Sequence, residues 1–90
     1  MNEAMEPVYC TYIVLCRDGT LYTGWTNNLE KRMKAHASGH GCKYTCSHGF
    51  LRLAYVEQHP TKHDAMHREW EIKQLRREEK LQLIEQWRAD

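Results

Sequence analysis

The chain has 90 residues, of which 41% are hydrophobic and 28% charged, and its formal net charge is +1. This composition is typical of a folded globular protein, and 90 residues are too few for two separate cores, so we expect a single domain over residues 1–90. A net charge near zero gives no sign of a polyanionic partner, which leaves only local clusters of basic residues to indicate one.

The sequence predicts a cytoplasmic protein that does not associate with a membrane. Its longest apolar stretch, residues 9–16, is too short to cross a bilayer and is interrupted by Thr11. Residues 1–7 carry Glu3 and Glu6 and lack the basic start and apolar core of a secretory signal peptide. In a reducing compartment we expect free thiols at all four cysteines, Cys10, Cys16, Cys42 and Cys46.

Two strands joined by a turn form the first predicted unit. Residues 8–17 and 20–26 are rich in β-branched and aromatic side chains, which favour strands. The Asp18-Gly19 pair between them is typical of a hairpin turn, so we predict an antiparallel hairpin. Each strand carries a tyrosine, Tyr12 in the first and Tyr22 in the second, and a hairpin alone gives no reason for two neighbouring phenols.

A helix and a glycine-bearing loop are predicted to follow the hairpin. Asn27 with Glu30 three residues later is typical of a helix start, and Ser38-Gly39 ends the helical segment LEKRMKAHA. Residues 39–49 contain Gly39, Gly41 and Gly49, and we therefore predict an irregular loop there.

The C-terminal half predicts one strand and two helices. Residues 51–59 alternate well enough for a third strand, Thr61 can cap a helix that runs to about residue 75, and REEKLQLIEQW supplies a final amphipathic helix. The inward residues of that last helix are expected to be Leu81, Ile84 and either Trp87 or Leu83. The order β-β-α-β-α-α predicts an α+β fold, with a three-stranded antiparallel sheet flanked by about three helices.

Polar side chains fall on the apolar stripes of two predicted helices. In the first, His36 continues the inward stripe and Arg32 lies one turn before it. In the second, Glu69 lies on the inward stripe, where a carboxylate needs a cation, a metal or a hydrogen-bond donor. With Tyr12 and Tyr22 these residues can form one polar cluster. Alternatively, His36 is a hydrogen-bonded core residue, and Arg32 and Glu69 form a structural ion pair.

The cluster resembles the motifs of the GIY-YIG nuclease superfamily, in particular a small, single-domain bacterial branch. Residues 10–12 (Cys-Thr-Tyr) stand at the position of the first tripeptide and residues 22–24 (Tyr-Thr-Gly) at the second. Three further positions match catalytic residues of the family: Arg32, His36 and Glu69. The resemblance covers residues 8 to about 85, which we expect to be the core of the domain. Positions 10, 11 and 23 depart from the family's tripeptides, mostly at backbone and packing positions.

The resemblance implies a metal-dependent endonuclease that hydrolyses DNA phosphodiester bonds. Glu69 would hold one Mg2+ or Mn2+, Arg32 would stabilise charge on the phosphoryl group, and His36 would assist proton transfer or phosphate binding. Tyr12 or Tyr22 would position or deprotonate the attacking water, and the sequence leaves open which one. The expected substrate is DNA, in branched or nicked forms met in repair or recombination. We expect the chain to act as a monomer, with a protein partner for targeting.

The length of the hairpin turn decides whether the two tyrosines can share a site. With a two-residue turn at Asp18-Gly19, Tyr12 and Tyr22 lie on opposite faces of the sheet. With a three-residue loop over residues 17–19, closed by Gly19 in the left-handed conformation, Val14 lies opposite Tyr22 and the phenols share a face. We predict the three-residue loop, because it also gathers an apolar set on the other face: Ile13, Leu15, Leu21 and Trp25.

Nucleic-acid contacts are predicted at four positions, Lys43, Tyr44, Arg17 and Arg68. Lys43 and Tyr44 lie in the glycine-bearing loop, where a phosphate could approach the backbone. Because few cations are in excess over acids, we expect weak, salt-sensitive binding with a small footprint.

A zinc site is the competing prediction for the same loop. Four possible ligands fall within nine residues, His40, Cys42, Cys46 and His48. Their spacing is not a known zinc-finger pattern, and we do not expect zinc there.

Three functional hypotheses follow from the sequence. The first is a metal-dependent nuclease, which we favour. The second is a catalytically inactive nucleic-acid-binding module of the same fold. The third is a protein-interaction domain that docks through the helical surface around Trp70 and Trp87.

Overall fold

The fold is described from a computed structural model, and it comprises three strands and four helices within residues 8–89. Expectations for residues 1–7 lie outside this described part. The elements in chain order are β1 (Tyr9–Cys16), β2 (Leu21–Thr26), α1 (Leu29–Ala37), α2 (Lys43–His48), β3 (Phe50–His59), α3 (Lys62–Lys73) and α4 (Arg77–Ala89).

The predicted α+β class and the three-stranded antiparallel sheet are confirmed, with β1 between β2 and β3. The prediction of an irregular loop over residues 39–49 was wrong, because the short helix α2 lies within it. α2 has only six residues, which is less than two turns and too short to show a helical period. Gly49 follows the helix as its C-cap, and its φ of 80° is a conformation that glycine adopts without strain.

The predicted three-residue hairpin loop is confirmed. Cys16 N–H donates to the Thr20 carbonyl at 2.8 Å, and Gly19 N–H donates to the Cys16 carbonyl at 3.0 Å. Gly19 has a φ of 87°, and Val14 lies opposite Tyr22. In this register, even-numbered residues of β1 and β2 share one face, so both Tyr12 and Tyr22 lie on it.

The other face of the sheet packs against α3 and α4. Its core cluster is Ile13, Ala54, Tyr55, Ile72 and Ile84, with Leu15, Leu21 and Leu83 packed against it. In α4, Ile84 and Leu83 therefore point inward, whereas Leu81, also predicted inward, is 42% exposed. This face is less apolar than predicted, because buried Thr11 and Thr23 share it; Thr11 Oγ1 donates to the Ala65 carbonyl at 2.8 Å.

Two helix starts test the predicted caps. Thr61 caps α3 as predicted, since its Oγ1 accepts from Asp64 N–H at 3.1 Å. The cap of α1 is Asn28 and not Asn27, and its Oδ1 accepts from Lys31 N–H at 3.1 Å. Within residues 8–89, no helix has the length and hydropathy needed to span a membrane.

Candidate active site

The candidate site lies on the face of the sheet that carries both tyrosines. Tyr12 is fully buried, while Tyr22 is half-buried. Gly24 lies opposite Tyr12 on β2, and a Cβ atom placed there would be 2.6 Å from the Tyr12 hydroxyl oxygen. The phenol of Tyr12 therefore fills space that any side chain at position 24 would need.

A buried hydrogen-bond chain links β1, α1 and α2. The Tyr12 hydroxyl lies 2.9 Å from His36 Nε2, and His36 Nδ1 lies 2.7 Å from Thr45 Oγ1. The Phe50 ring stacks on the imidazole, with 6.1 Å between ring centroids and 8° between planes. Both nitrogens of His36 thus have partners and the side chain is 1% exposed, so this residue positions its neighbours from within the core.

His36, in the middle of this hydrogen-bond chain, is held in its neutral form. Burial lowers the pKa of His36, and the positive charge of Arg32 lowers it further. A neutral imidazole has one donor and one acceptor nitrogen, so its tautomer sets the direction of both hydrogen bonds. When Nδ1 donates to Thr45, Nε2 accepts the proton of the Tyr12 hydroxyl.

This neutral histidine predicts a specific dependence of stability on pH. Because the folded-state pKa lies below the ordinary value of 6.5, the unfolded chain binds a proton first as the pH falls. The contribution of His36 to stability is complete above pH 6.5 and decreases below it, by at most about 1.4 kcal/mol per pH unit. Urea unfolding of the wild type and His36→Gln between pH 5 and 8 measures this, and equal pH slopes for both would contradict it.

Both phenols are held in their protonated form. Burial raises the pKa of Tyr12, the positive charge of Arg32 opposes this, and the charge of Glu69 adds to it. Burial also raises the pKa of Tyr22, together with a hydrogen bond to Cys42 and the charge of Glu69. The negative charge of Glu69 thus acts in the same direction as burial at both hydroxyls.

Glu69 and Arg32 reach the site from two different helices. The Glu69 side chain on α3 is 22% exposed and lies 3.5 Å from Lys73 Nζ, its nearest basic partner. Among residues 8–88, no carboxylate lies within 4.0 Å of the Arg32 guanidinium. The ion pair between Arg32 and Glu69, which the sequence left as an alternative, therefore does not form. Arg32 lies along a cavity of about 210 Å3 at the start of α1 and is half-buried. The structure thus brings together all five predicted residues: Tyr12, Tyr22, Arg32, His36 and Glu69.

The four predicted nucleic-acid contacts divide into two groups. Lys43 and Tyr44 lie on α2 beside the site, where the Tyr44 ring is 5.5 Å from that of Tyr22. Arg17 is exposed, and its N–H donates to the Gly49 carbonyl at the end of α2 at 3.0 Å.

Arg68, the fourth predicted contact, lies apart from this group. Its Nε is 3.1 Å and 3.0 Å from the two carboxylate oxygens of Glu57, which also accepts from the Tyr55 hydroxyl, and its Nη1 is 3.3 Å from Glu71. The guanidinium charge is therefore already balanced.

The structure adds three residues to the site: Thr45 and Phe50, which the sequence did not identify, and Cys42, which it indicated only as a possible zinc ligand. Cys42 Sγ lies 3.4 Å from Thr45 Oγ1. Burial alone would raise the pKa of the Cys42 thiol, but hydrogen bonds from Thr45, Tyr22 and the Tyr44 backbone lower it overall. These residues come from the segment around α2, where the only sequence signal was the spacing of glycines and cysteines.

The alternative zinc site does not assemble in the described residues. Within residues 8–88, no three His, Cys, Asp or Glu side chains come close enough to hold one metal ion. His48 instead hydrogen-bonds Asp18, and His40 Nδ1 lies 3.1 Å from Ser38 Oγ.

The chain is similar in sequence to a known family and to several bacterial proteins. A family model described as the GIY-YIG catalytic domain matches residues 8–82. A UPF0213 protein of Clostridium perfringens is 56% identical over 73 residues, which cover 81% of this chain and 78% of that protein. A second, from Oceanobacillus iheyensis, is 49% identical over 81 residues, or 90% of this chain and 94% of that protein.

A solved structure is similar as well. The solution NMR structure of a UPF0213 protein from Bacillus halodurans has a TM-score of 0.56 and 44% sequence identity, and the match covers 87% of this chain and 83% of that chain. The family model, the relatives and the solved structure each match more than 80% of the sequence. The chain therefore belongs to the GIY-YIG nuclease family.

Proposed function

We propose that this protein is a metal-dependent endonuclease that hydrolyses phosphodiester bonds in DNA. The observation that carries the proposal is the convergence of two phenols, a guanidinium and a carboxylate around the buried Tyr12–His36–Thr45 chain. Hydrolysis of a phosphodiester needs an activated water and stabilisation of charge on the phosphoryl oxygens, and these groups can supply both. We propose residues 8–85 as the unit that carries this activity.

The Glu69 carboxylate is the proposed ligand of one Mg2+ or Mn2+. It is a hard oxygen donor, it is partly exposed, and Lys73 is its only ion-pair partner among residues 8–88. A divalent cation bound there would supply positive charge for the phosphoryl oxygens. It would also offset the Glu69 charge, which adds to the effect of burial on the pKa of both phenols.

Exposure separates the groups that can touch substrate from those that support them. Tyr22, Arg32 and Glu69 are half-buried and reach the surface, whereas Tyr12 and His36 are sealed inside. We assign to Tyr22 the contact with the attacking water and to Arg32 the charge on the phosphoryl group, which its fixed donors suit. We assign to Tyr12 and His36 the positioning of these groups, with His36 able to accept the Tyr12 proton.

DNA is the proposed partner, in branched or nicked forms, and the chain acts as a monomer in the cytoplasm. Lys43, Tyr44 and Arg17 lie around α2 and are proposed to contact the DNA strand. We propose no phosphate contact for Arg68, whose charge is paired with Glu57 and Glu71.

Nicking assays on a panel of flap, junction and plasmid DNAs test the proposal. We expect cleavage by the wild type that requires Mg2+ or Mn2+ and stops with a chelator. Tyr22→Phe is expected to lower the rate by about 100-fold, because it removes the hydroxyl that holds the attacking water in position. Tyr55→Phe makes the same chemical change on the opposite face of the sheet and serves as the control.

Two other outcomes identify the alternative functions. Binding of the panel without cleavage by the wild type would show an inactive nucleic-acid-binding module. Negligible affinity for DNA at physiological salt would favour a protein-interaction domain, for which the 61% exposed Trp70 on α3 is the proposed contact.

A further inference from the structure

A cleft next to the candidate active site combines one aromatic ring with two basic side chains. It has a volume of about 230 Å3, and we call it the Tyr44 cleft. Its lining residues are Thr20, Leu21, Tyr44, Arg77 and Lys80. They come from the hairpin, from α2 and from the start of α4, so the fold assembles the cleft from three separate segments.

The two cations of the cleft are available for an anionic ligand. The acids of the first turn of α4 turn toward Arg76, whose Nε lies 3.7 Å from both Glu78 Oε1 and Glu79 Oε1. Glu79 Oε1 also accepts from Arg76 N–H at 2.8 Å. Within residues 8–88, neither Arg77 nor Lys80 has a carboxylate oxygen within 4.0 Å. The local charge in the cleft is therefore positive, although the net charge of the whole chain is only +1.

The aromatic ring of the cleft is held in place and touches the candidate site. The His48 ring stacks on Tyr44 with centroids 4.1 Å apart, and His48 Nδ1 is hydrogen-bonded to Asp18 at the hairpin turn. The Tyr44 ring also lies beside the Tyr22 ring of the candidate site, with centroids 5.5 Å apart. A DNA strand bound at Tyr22 would therefore lie next to the cleft, because Tyr44, which lines the cleft, is a direct neighbour of Tyr22.

We propose that the Tyr44 cleft binds an unpaired nucleotide of the DNA strand that leads away from the cleaved bond. The base packs against the part of the Tyr44 ring that the stacked His48 leaves exposed, and the phosphate lies between Arg77 and Lys80. A rigid aromatic ring beside cations is the arrangement that binds single-stranded nucleic acid, because every base has a flat face and every link a negative charge. The inference rests on the proposed nuclease function and narrows its substrate to DNA with a single-stranded segment next to the scissile phosphate.

The test measures DNA binding in the absence of cleavage. The full chain is titrated in EDTA against a fluorescein-labelled duplex of about 12 base pairs, either blunt or extended by about six unpaired thymidines, and binding is followed by anisotropy. For the wild type we expect the extension to tighten binding about tenfold, since base stacking and the additional phosphate contacts are lost on the blunt duplex.

Charge reversal on one helix provides a matched pair of variants. R77E and R88E make the same change in net charge on α4, and the two positions are 11 residues, or about 16 Å, apart along the helix. We expect R77E to reduce the benefit of the extension to less than about twofold and R88E to keep it. Tyr44→Leu, which removes the flat ring, is also expected to reduce it.

Equal effects of R77E and R88E, or equal binding of both duplexes by the wild type, would overturn the inference. Because the assay contains no metal, its result is independent of catalysis. If binding follows the expected pattern but no DNA is nicked in Mg2+, the nuclease proposal fails and the cleft remains a nucleotide site. If nicking occurs but R77E and Tyr44→Leu keep the preference for the extended duplex, the inference alone fails.

Discussion

Replacement of Glu69 by glutamine is expected to reduce metal-dependent DNA cleavage about a thousandfold while the protein stays folded. The substitution keeps the shape of the side chain but removes the charge that binds the cation, and a catalytic metal supplies several kcal/mol of charge stabilisation. The side chain lies at the edge of the buried region, 22% exposed, and its ion pair with Lys73 is a surface pair of small energy. The melting temperature should therefore change by only a few degrees.

Glu71→Gln is the matched control for this variant, since it makes the same change two residues along α3. Glu71 pairs with Arg68 and His67 and takes no part in the candidate site. A second measurement does not depend on activity: in isothermal titration calorimetry without DNA, the wild type and Glu71→Gln should bind Mn2+ and Glu69→Gln should not. Unchanged cleavage by Glu69→Gln would refute the role of this carboxylate.

Gly41→Ala is expected to destabilise the fold by about 3 kcal/mol, which corresponds to a drop in melting temperature of roughly 12–24 °C. A Cβ atom at position 41 would overlap His36 Nδ1, so the imidazole or the backbone has to move. Moving the ring breaks its hydrogen bonds to Tyr12 and Thr45, which leaves buried polar groups without partners. DNA cleavage should decrease together with stability, because the same hydrogen-bond chain through His36 positions the phenols.

Gly39→Ala separates this clash from a general effect of replacing loop glycines. Gly39 has a φ of 84°, and no atom of the described residues lies within 4 Å of a Cβ placed there, so its only cost is backbone strain of about 1 kcal/mol. Thermal unfolding of both variants measures the difference. A smaller loss of stability for Gly41→Ala than for Gly39→Ala would contradict the contact with His36.

The hairpin shows why part of the site could be predicted from the sequence alone. Side chains alternate along a strand, so the loop length fixes which residues share a face, and an apolar set on one face selects that length. The placement of Tyr12 beside Tyr22 followed from this rule. The inward position of His36 followed in the same way from helical spacing.

The segment around α2 shows what could not be predicted. A helix of six residues without a side-chain cap leaves neither a period nor a capping signal in the sequence. The partners of His36 from this segment, Thr45 and Gly41, depend on contacts across the fold. Likewise, the pairing of Arg68 with Glu57 joins α3 to β3, and local sequence gave no reason to expect it.

The close fit of Tyr12 against Gly24 has a consequence for how this chain can vary. The two residues face each other across the hairpin, and the Tyr12 side chain occupies the space next to Gly24. A larger residue at position 24 is therefore tolerated only with a smaller residue at position 12. Any smaller residue at position 12 lacks the phenol that reaches the imidazole. Variants with alanine or serine at position 24 should therefore fold well only if they lack the Tyr12 hydroxyl, and we expect them to lack the proposed nuclease activity as well.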